Sequence, residues 1–272
     1  MLQTTPHIRT HLRRRPQAYP SASLSSRGDQ WIAFLGKLSL EKGVHCLIAA
    51  APEIIARVPQ ARLLLIGDGV AREHLILMRD ALAVGNLDRA AEAMRLSAET
   101  SPEDYAEWVA GYWASLDLAT YRRQAMAADL KHRIVFTGYQ SASQVARLIT
   151  RADLLVIPSL IKEAFPLVSV EALSSGLMFV APYVGGLAPL IDQVAAEIDE
   201  VGLLAHITYQ SDRMIAELID RVSQLLRHTA DEAKRHELAS ACRRFAMKHY
   251  DWTNIVSRIE SVYVSALYGH IQ

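Results

Sequence analysis

The sequence has few of the residues from which metal sites and disulfide frameworks are built. Only two of its 272 residues are cysteines, Cys46 and Cys242, and both fall within predicted helices. This pattern predicts buried thiols in a reducing, cytoplasmic environment instead of a disulfide framework. None of the ten histidines stands at a spacing typical of metal ligands. We therefore expect no bound metal ion.

The sequence also lacks an excess of charge and a long apolar run. Lys and Arg together number 29, as do Asp and Glu, so no general attraction to nucleic acid is expected. No apolar run reaches the ~18 residues that a membrane-spanning helix needs. The basic run Arg13-Arg14-Arg15 is not followed by an apolar segment, which argues against a secretory signal. We expect neither a nucleic-acid partner nor a transmembrane segment.

What the sequence does contain is enough apolar material for a full core. Hydrophobic residues make up 51% of the chain and charged residues 21%, which excludes a disordered chain. Residues 1–29 are polar and basic and are interpreted as a flexible arm or linker remnant. Residues 30–272 are expected to form the folded domain.

Apolar runs and helical patterns alternate along this domain. The alternation predicts an α/β fold with a parallel sheet and helices on both of its faces. The predicted strands are Trp31–Leu35, Arg62–Ile66, Arg133–Thr137, Leu154–Ile157 and Met178–Ala181. The predicted helices include 44–57, 71–84, 87–99, 143–150, 211–228 and 231–248, with a last helix over 251–268. A further, mostly helical stretch is predicted from Glu103 to Leu130, with a helix start at residues 101–104. Its aromatic stripe, which includes Tyr112 and Trp113, is interpreted as core packing instead of a ligand-binding surface.

The stretch 153–182 organises the domain because it carries a strand, a loop, a helix and a second strand. Pro158 ends the first strand, Pro166 is expected at the first helical position, and Val168–Leu173 forms the helix. The loop holds Glu163, and Glu171 follows in the helix. Ligands of open parallel sheets bind at the carboxyl ends of strands, where this loop lies.

The two glutamates allow two interpretations. A glutamate near a helix N-terminus is usually a solvated charge that complements the helix dipole. Here Glu163 lies at a strand-to-helix crevice, and Glu171 has apolar neighbours in sequence, so burying it would require a partner. Sugar or ribose hydroxyls are natural partners for such carboxylates. The free N–H groups of residues 164–168 would face the same crevice and suit an anion.

A second loop with similar chemistry follows the first strand. Residues 36–43 contain Gly36, Lys37, Lys42 and Gly43 and lead into the helix from Val44. Backbone N–H groups and lysine charges in such a loop suit a diphosphate. Taken alone the signal is weak, because exposed lysines in loops are common.

The segment from Glu163 to Glu171, two glutamates with seven residues between them, resembles glycosyltransferase family 4. The match extends over about residues 31–268. Further motifs before and after this segment stand in the same order as in the family. They are Gly36-Lys37-Leu38 with Glu41-Lys42-Gly43, Gly67-Asp68-Gly69, Val184-Gly185-Gly186-Leu187 and a predicted strand Gly202-Leu203-Leu204. The resemblance implies a retaining enzyme that uses a nucleotide-diphosphate sugar, and a Rossmann-like, C-terminal donor-binding domain.

The resemblance also implies roles for individual residues. Glu163 would face the donor sugar, and Glu171 would hold the ribose hydroxyls. Lys37 and Lys42 would neutralise the leaving diphosphate, a role shared with the N–H groups of Phe165 and Leu167. Lys37 stands where the family has arginine, so the charge is kept and the bidentate fork is lost.

Other positions complete the implied site and its turns. Backbone near Tyr139 would contact the base, and Gly36 and Pro166 are counted with the substrate-binding residues. We interpret Asp68 as a structural residue of its turn. The donor is a substrate, and no cofactor is expected.

Two segments suggest contacts with partners. Residues 86–130 are longer than the family's connection and are interpreted as an inserted helical hairpin, open to a protein partner or a membrane surface. Residues 251–268 resemble the family's crossover helix, which packs on an N-terminal acceptor domain that is not recognised here. The chain is then the donor half of a glycosyltransferase, or a non-catalytic nucleotide-sugar-binding module or decayed remnant. An epimerase is disfavoured, because the paired motifs fit a transferase better.

Overall fold

The computed structural model describes residues 28–98, 105–198 and 202–268 and contains one parallel sheet of six strands. The expected flexible arm over residues 1–29 lies outside these ranges, except for its last two residues. The strands are β1 (Gln30–Leu35), β2 (Ala61–Ile66), β3 (Ile134–Gly138), β4 (Leu154–Val156), β5 (Met178–Pro182) and β6 (His206–Ile207). The predicted α/β class, with a Rossmann-like parallel sheet, is confirmed.

The order of the strands fixes where a ligand can bind. The sheet runs β3-β2-β1-β4-β5-β6, so the direction of winding reverses between the neighbours β1 and β4. These two strands pair in parallel, with Ile32 opposite Leu154 and Ala33 opposite Leu155. The connections that follow β1 and β4 therefore lead to opposite faces of the sheet. A crevice opens between them at the carboxyl ends of the two strands, as is typical of the fold.

Helices fill the connections between the strands. They are α1 (Val44–Arg57), α2 (Arg72–Ala83), α3 (Leu87–Ala98), α4 (Glu107–Ala114), α5 (Leu118–Ala127), α6 (Leu130–Arg133), α7 (Ala142–Ile149), α8 (Leu167–Ser175), α9 (Leu187–Glu197), α10 (Met214–Thr229), α11 (Glu232–Tyr250) and α12 (Trp252–Tyr268). Helices α1, α2 and α10 pack together, and α7, α8 and α11 form a second group. Because the winding reverses at the switch point, these groups cover opposite faces of the sheet.

The strands are continuous apolar runs because both faces of the sheet are covered. In β2, Leu63, Leu64 and Leu65 are fully buried, and Leu154 and Leu155 of β4 are as well. Cys46 of α1 and Cys242 of α11 are free, buried thiols, as predicted. Burial raises the pKa of both thiols, that of Cys242 to about 12, so both stay protonated.

The segment expected as a helical hairpin has a different form. Helices α3 to α6 replace the hairpin, and the long helix predicted from Glu103 breaks where Asp117 caps α5 and where Asp129 adopts a left-handed φ of 49°. An aspartate tolerates this backbone conformation better than most residues. The proposed helix start at residues 101–104 lies outside the described residues. The segment is therefore folded against the domain and does not project from it.

Aromatic residues attach this segment to α1. Tyr112 and Trp113 are buried, and the hydroxyl of Tyr121 donates to the carbonyl oxygen of Ala49 over 2.8 Å. The ring of Tyr112 meets that of Tyr121 edge to face. The aromatic stripe thus belongs to the core, as the sequence interpretation favoured over a ligand-binding role.

Two local predictions were wrong. The expected strand Gly202-Leu203-Leu204 is a 3-10 turn over Leu203–Ala205, and the strand follows as β6. Pro166 is the residue before helix α8 and has an extended ψ of 97°, so the helix begins at Leu167. A Gly-Leu-Leu run carries no periodicity from which a turn and a strand can be told apart.

Helix α12 leaves the domain with its apolar side chains uncovered. Trp252 is 76% exposed, and Ile259, Tyr263 and Leu267 are exposed as well. The helix contacts mainly the end of α11. Across the described residues, none of the helices combines the length and apolar character that a membrane span requires.

Candidate functional site

The loops that follow β1 and β4 touch each other at the switch point. Gly43 adopts a left-handed φ of 69°, and a Cβ atom placed on it would lie 1.7 Å from the carbonyl oxygen of Pro158. The amide of Leu160 also donates to the carbonyl oxygen of Glu41 over 2.9 Å. Only glycine satisfies both the backbone conformation and this close approach. The two loops are therefore held together by backbone contacts.

An ion pair joins the same two loops through their side chains. The Nζ atom of Lys42 lies 2.6 Å from Oε1 of Glu163, two residues that are 121 positions apart in sequence. Ser159 donates its hydroxyl to the same oxygen over 2.8 Å. Both charged side chains are mostly buried, with 27% of Lys42 and 18% of Glu163 exposed. The sequence analysis identified both charged residues but not their contact, and it did not identify Ser159.

The turn after β2 supports the first loop from the other side. The amide of Leu38 donates to the carbonyl oxygen of Asp68 over 3.0 Å. A Cβ atom on Gly67 would lie 1.8 Å from the carbonyl oxygen of Gly36. The carboxylate of Asp68 accepts the amide of Gly69 within the turn, which confirms its structural role.

Lys37 lies in this supported loop but is more exposed than Lys42. Its ammonium group lies 3.5 Å from the carboxylate of Glu41, and 56% of its side chain is exposed. A pair of this length and exposure is weak. Lys37 can therefore leave Glu41 for a stronger anion at small cost.

Helix α8 directly follows the loop that holds Glu163, and its first N–H groups have no intrahelical acceptor. The helix begins at Leu167, and Ser169 donates both its amide and its hydroxyl to the carbonyl oxygen of Pro166. The N–H groups of Leu167 and Val168 precede the first intrahelical bonds, as at every helix start. Such groups form a ready site for an anion.

Glu171 lies one helical turn after Leu167 on the same face of α8. Both side chains are exposed to solvent. Glu171 has apolar neighbours in sequence, but its own side chain is not buried and therefore needs no partner within the protein. Its carboxylate faces solvent and is free to accept hydroxyl groups of a ligand.

Gly185 and Gly186, in the turn after β5, contact the backbone of the loop that holds Glu163. The sequence motif did not predict this contact. The amide of Gly186 donates to the carbonyl oxygen of Glu163 over 2.7 Å. A Cβ atom on Gly186 would lie 1.9 Å from the carbonyl oxygen of Ala164. The glycine pair therefore lets the turn after β5 approach the backbone that presents Glu163.

Two further predicted site residues, Phe165 and Tyr139, have different surroundings. The ring of Phe165 lies 5.8 Å from that of Tyr250 at the end of α11, so its side chain has a protein partner. Tyr139 is exposed and follows β3, which is separated from β1 by β2. Tyr139 thus lies at the same edge of the sheet, to one side of the crevice.

A buried histidine lies directly behind the first loop. His45 is the second residue of α1, and its Nε2 atom lies 2.8 Å from the carbonyl oxygen of Tyr105. Burial lowers the pKa of His45 to about 4, although the contact with the Tyr105 carbonyl acts in the opposite direction. His45 is therefore neutral near pH 7 and adds no charge behind the site.

The two loops and the start of α8 carry groups that suit an anion and groups that can accept hydroxyls. Two lysines and the start of α8 supply positive potential, and Glu163 and Glu171 supply acceptors. Within the described ranges, no group of three or more His, Cys, Asp or Glu residues could hold a metal ion.

A family model matches more than half of the chain. The model described as glycosyl transferases group 1 matches residues 83–245, which include β4, α8 and both glutamates. An uncharacterized glycosyltransferase of Methanocaldococcus jannaschii is 24% identical over 88% of this chain and 46% of its own length. The chain spans about half the length of the first curated relatives that it matches.

Solved structures share the fold. The structure of HepE from Anabaena with UDP and glucose has a TM-score of 0.54 and 21% identity, over 87% of this chain and 48% of that one. The C-terminal domain of a group 1 glycosyl transferase (LpcC) from Francisella tularensis has a TM-score of 0.50 and 19% identity. That comparison covers 82% of this chain and 87% of that domain.

Proposed function

Since the chain belongs to the glycosyl transferases of group 1, we propose that it is the donor-binding part of a retaining glycosyltransferase. It binds a nucleotide-diphosphate sugar at the crossing of the β1 and β4 loops. Retention is what the resemblance to glycosyltransferase family 4 implies. The observation that carries the proposal is the contact of Lys42 with Glu163 at 2.6 Å, because it brings a cation for phosphate and an acceptor for sugar hydroxyls to one point.

The diphosphate is assigned to the positively charged part of the site. Lys42 and Lys37 neutralise its oxygens, and the N–H groups of Phe165 and Leu167 donate to them beside Gly36 and Pro166. When the bond from the anomeric carbon to the diphosphate breaks, the diphosphate leaves with the electron pair. Charges that strengthen their interaction as negative charge grows stabilise the transition state. Lys42 and Lys37 are therefore proposed as catalytic residues.

The sugar and the nucleoside are assigned to the acceptor groups. Glu163 faces the donor sugar, Glu171 accepts the ribose hydroxyls, and backbone near Tyr139 contacts the base. The exposure of Glu171 supports this assignment, since its carboxylate has no apolar burial to overcome before it binds a ligand. UDP, which the HepE structure contains, is the first nucleotide to test. The donor acts as a substrate, and no cofactor or metal is proposed.

The acceptor-binding site is proposed to lie on a separate N-terminal domain. The exposed apolar face of α12, with Trp252 and Ile259, is a suitable surface for that domain to cover. We expect sugar transfer only when the chain is mixed with an acceptor domain. Trp252→Ala should weaken this transfer. Two free, buried thiols support a cytoplasmic location, and the acceptor side is proposed to contact a membrane peripherally.

A non-catalytic nucleotide-sugar-binding module is the second candidate. The observation that favours it is that Lys37, 56% exposed, stands where the resemblance implies an arginine, so the bidentate contact with the leaving group is lost. Donor hydrolysis separates the candidates, because a transferase releases sugar slowly to water and a module does not. Release of glucose from UDP-glucose, abolished by Lys42→Ala, would support the transferase.

Calorimetric titration tests the donor site directly. The 272-residue chain is titrated with UDP, GDP, ADP and inorganic pyrophosphate, together with Glu171→Ala. We expect saturable binding of one nucleotide, and a loss of about tenfold in Glu171→Ala, the usual effect of removing one charged hydrogen-bond partner. Pyrophosphate binding should not change, because it has no ribose.

Glu73→Ala is the matched control, since Glu73 is an exposed acidic residue in the first turn of another helix, α2. It should bind every ligand like the unmodified chain. Failure of all three nucleotides to bind the unmodified chain would overturn the proposed donor site.

A further inference from the structure

The two carboxylate oxygens of Glu163 have different surroundings. Oε1 accepts from both Lys42 Nζ, at 2.6 Å, and Ser159 Oγ, at 2.8 Å. In the part of the chain that the structure describes, Oε2 accepts no hydrogen bond. Glu163 therefore has two protein donors on one side and one oxygen open to a ligand.

The donor diphosphate and Glu163 compete for Lys42. In the proposed function, Lys42 neutralises phosphate oxygens, so its ammonium group must share or leave its contact with Oε1. The diphosphate of a nucleotide sugar carries two negative charges and the carboxylate only one, so the diphosphate attracts the ammonium group more strongly. Without a second support, Glu163 would lose its position when the diphosphate binds.

Ser159 is placed to supply that support. It is only 1% exposed, and it directly follows Pro158, whose carbonyl oxygen packs against Gly43. The backbone at Ser159 is therefore fixed by the crossing of the loops, independently of the Lys42 side chain. Its hydroxyl donates to a charged acceptor, which is a stronger hydrogen bond than one between neutral groups.

We propose that Ser159 is a positioning residue that keeps Glu163 in place when the donor diphosphate takes Lys42. Ser159 holds Oε1, and Oε2 accepts a hydroxyl group of the donor sugar. The inference rests on the proposed function and goes beyond it by assigning a role to a residue outside the paired glutamates and lysines. It predicts that Ser159 matters for the sugar and not for the nucleotide.

The experiment is a double-mutant cycle in the full chain. Unmodified protein, Ser159→Ala, Glu163→Ala and the double variant are titrated with UDP and UDP-glucose, and with the GDP and ADP counterparts. We expect Ser159→Ala to weaken binding of the glucose conjugate about tenfold and binding of the bare nucleotide less than about twofold. In the Glu163→Ala background the same substitution should change neither affinity, because there is no carboxylate to position.

Glu163→Ala itself supplies an independent signature. Because the carboxylate competes with phosphate for Lys42, its removal should strengthen binding of the bare nucleotide severalfold. The variant should bind the sugar conjugate no more tightly than it binds the bare nucleotide. Ser223→Ala is the control, since Ser223 is a buried serine of α10 and should leave every affinity unchanged.

The outcomes separate the two proposals. If the unmodified chain binds a nucleotide but Ser159→Ala weakens the bare nucleotide as much as the conjugate, or acts equally in both backgrounds, Ser159 only supports the loop and the inference is overturned. If the unmodified chain binds no nucleotide at all, the proposed function itself fails, and the inference fails with it.

Discussion

Two regions contact α1 but are held in different ways. One is the loop crossing at the switch point, formed by residues 36–43 and 157–166. The other is the helical segment, which the structure describes over residues 87–98 and 105–133. In the loop crossing, glycine positions let backbones meet, as between Gly43 and Pro158, and charged side chains pair. In the helical segment, buried aromatic rings such as Tyr112 and Tyr121 pack together. The first region keeps polar groups available for a ligand, whereas the second places the hydroxyls of Tyr112 and Tyr121 in hydrogen bonds to α1.

The two regions are not independent. His45 of α1 contacts the carbonyl oxygen of Tyr105 just before α4, and Gly43 precedes α1. Trp108 of α4 packs on Tyr209 with ring centroids 5.3 Å apart, and Tyr209 donates its hydroxyl to the carbonyl oxygen of Leu160. The helical segment therefore supports the loop crossing from outside, although it supplies no residue to the proposed site.

The largest expected effect comes from breaking the loop crossing. Gly43→Ala places a Cβ atom where it would lie 1.7 Å from a backbone oxygen, at a left-handed φ. We expect a loss of roughly 4 kcal/mol in the free energy of unfolding, from backbone strain and overpacking together. Urea denaturation measures it, and calorimetry should show that nucleotide binding is lost as well.

Gly111→Ala is the control for this change, because a Cβ atom at Gly111 of α4 meets nothing within 4 Å. It should stabilise the protein by about 0.5–1 kcal/mol, the usual gain in a helix interior. A Gly43→Ala variant that is as stable as the unmodified protein and binds nucleotide normally would show that the loops need not touch.

The next effect concerns the histidine that lies between the two regions. The unfolded chain protonates His45 near pH 6.5, whereas the pKa in the folded protein is about 4. Between these values the unfolded state binds the additional proton, so stability falls as the pH is lowered from 6.5 to 4 and levels off below 4. The contribution is roughly 3 kcal/mol.

Urea midpoints between pH 7 and pH 4, on the unmodified chain and on His45→Gln, measure this dependence. His45→Gln should show a shallower decline, and His236→Gln, at an exposed position, should decline like the unmodified chain. Equal slopes for His45→Gln and the unmodified chain would contradict the assignment of the pH dependence to His45.

The smallest effect separates stability from function. Tyr121→Phe removes the hydrogen bond to the carbonyl oxygen of Ala49 and keeps the packed ring. We expect a loss of about 1 kcal/mol in the free energy of unfolding, as for one neutral hydrogen bond. Nucleotide affinity should stay within about twofold, because distant sites act additively. A large loss of affinity would mean that the helical segment belongs to the site.

The sequence predicted the elements of the fold far better than their contacts. Helix α1 was predicted over the residues that form it, because its apolar positions follow the helical period and Gly43 precedes it. The predicted hairpin over residues 86–130 was wrong in form, since breaks at Asp117 and Asp129 depend on local caps that periodicity does not encode. The strand at Gly202–Leu204 failed for the same reason.

The candidate site shows the same division. Glu163 and Lys42 were identified from their motifs, but their contact joins residues 121 positions apart and depends on the crossing of two loops. Ser159 was not predicted as a site residue, because a serine after a strand indicates no function until its neighbours in space are known. The apolar neighbours of Glu171 in sequence do not show whether its carboxylate is buried, and the helix turns it to the solvent.

The affinity of Lys42→Ala for the bound nucleotide tests the central claim most directly. Lys248→Ala is the matched control, because Lys248 pairs with Glu197 at 3.1 Å on another surface. Calorimetry with the nucleotide and with pyrophosphate should show a loss of tenfold or more for both ligands in Lys42→Ala, about the effect of one charged hydrogen bond, and no change in Lys248→Ala. Unchanged affinity of a folded Lys42→Ala protein would contradict the placement of the diphosphate at the loop crossing.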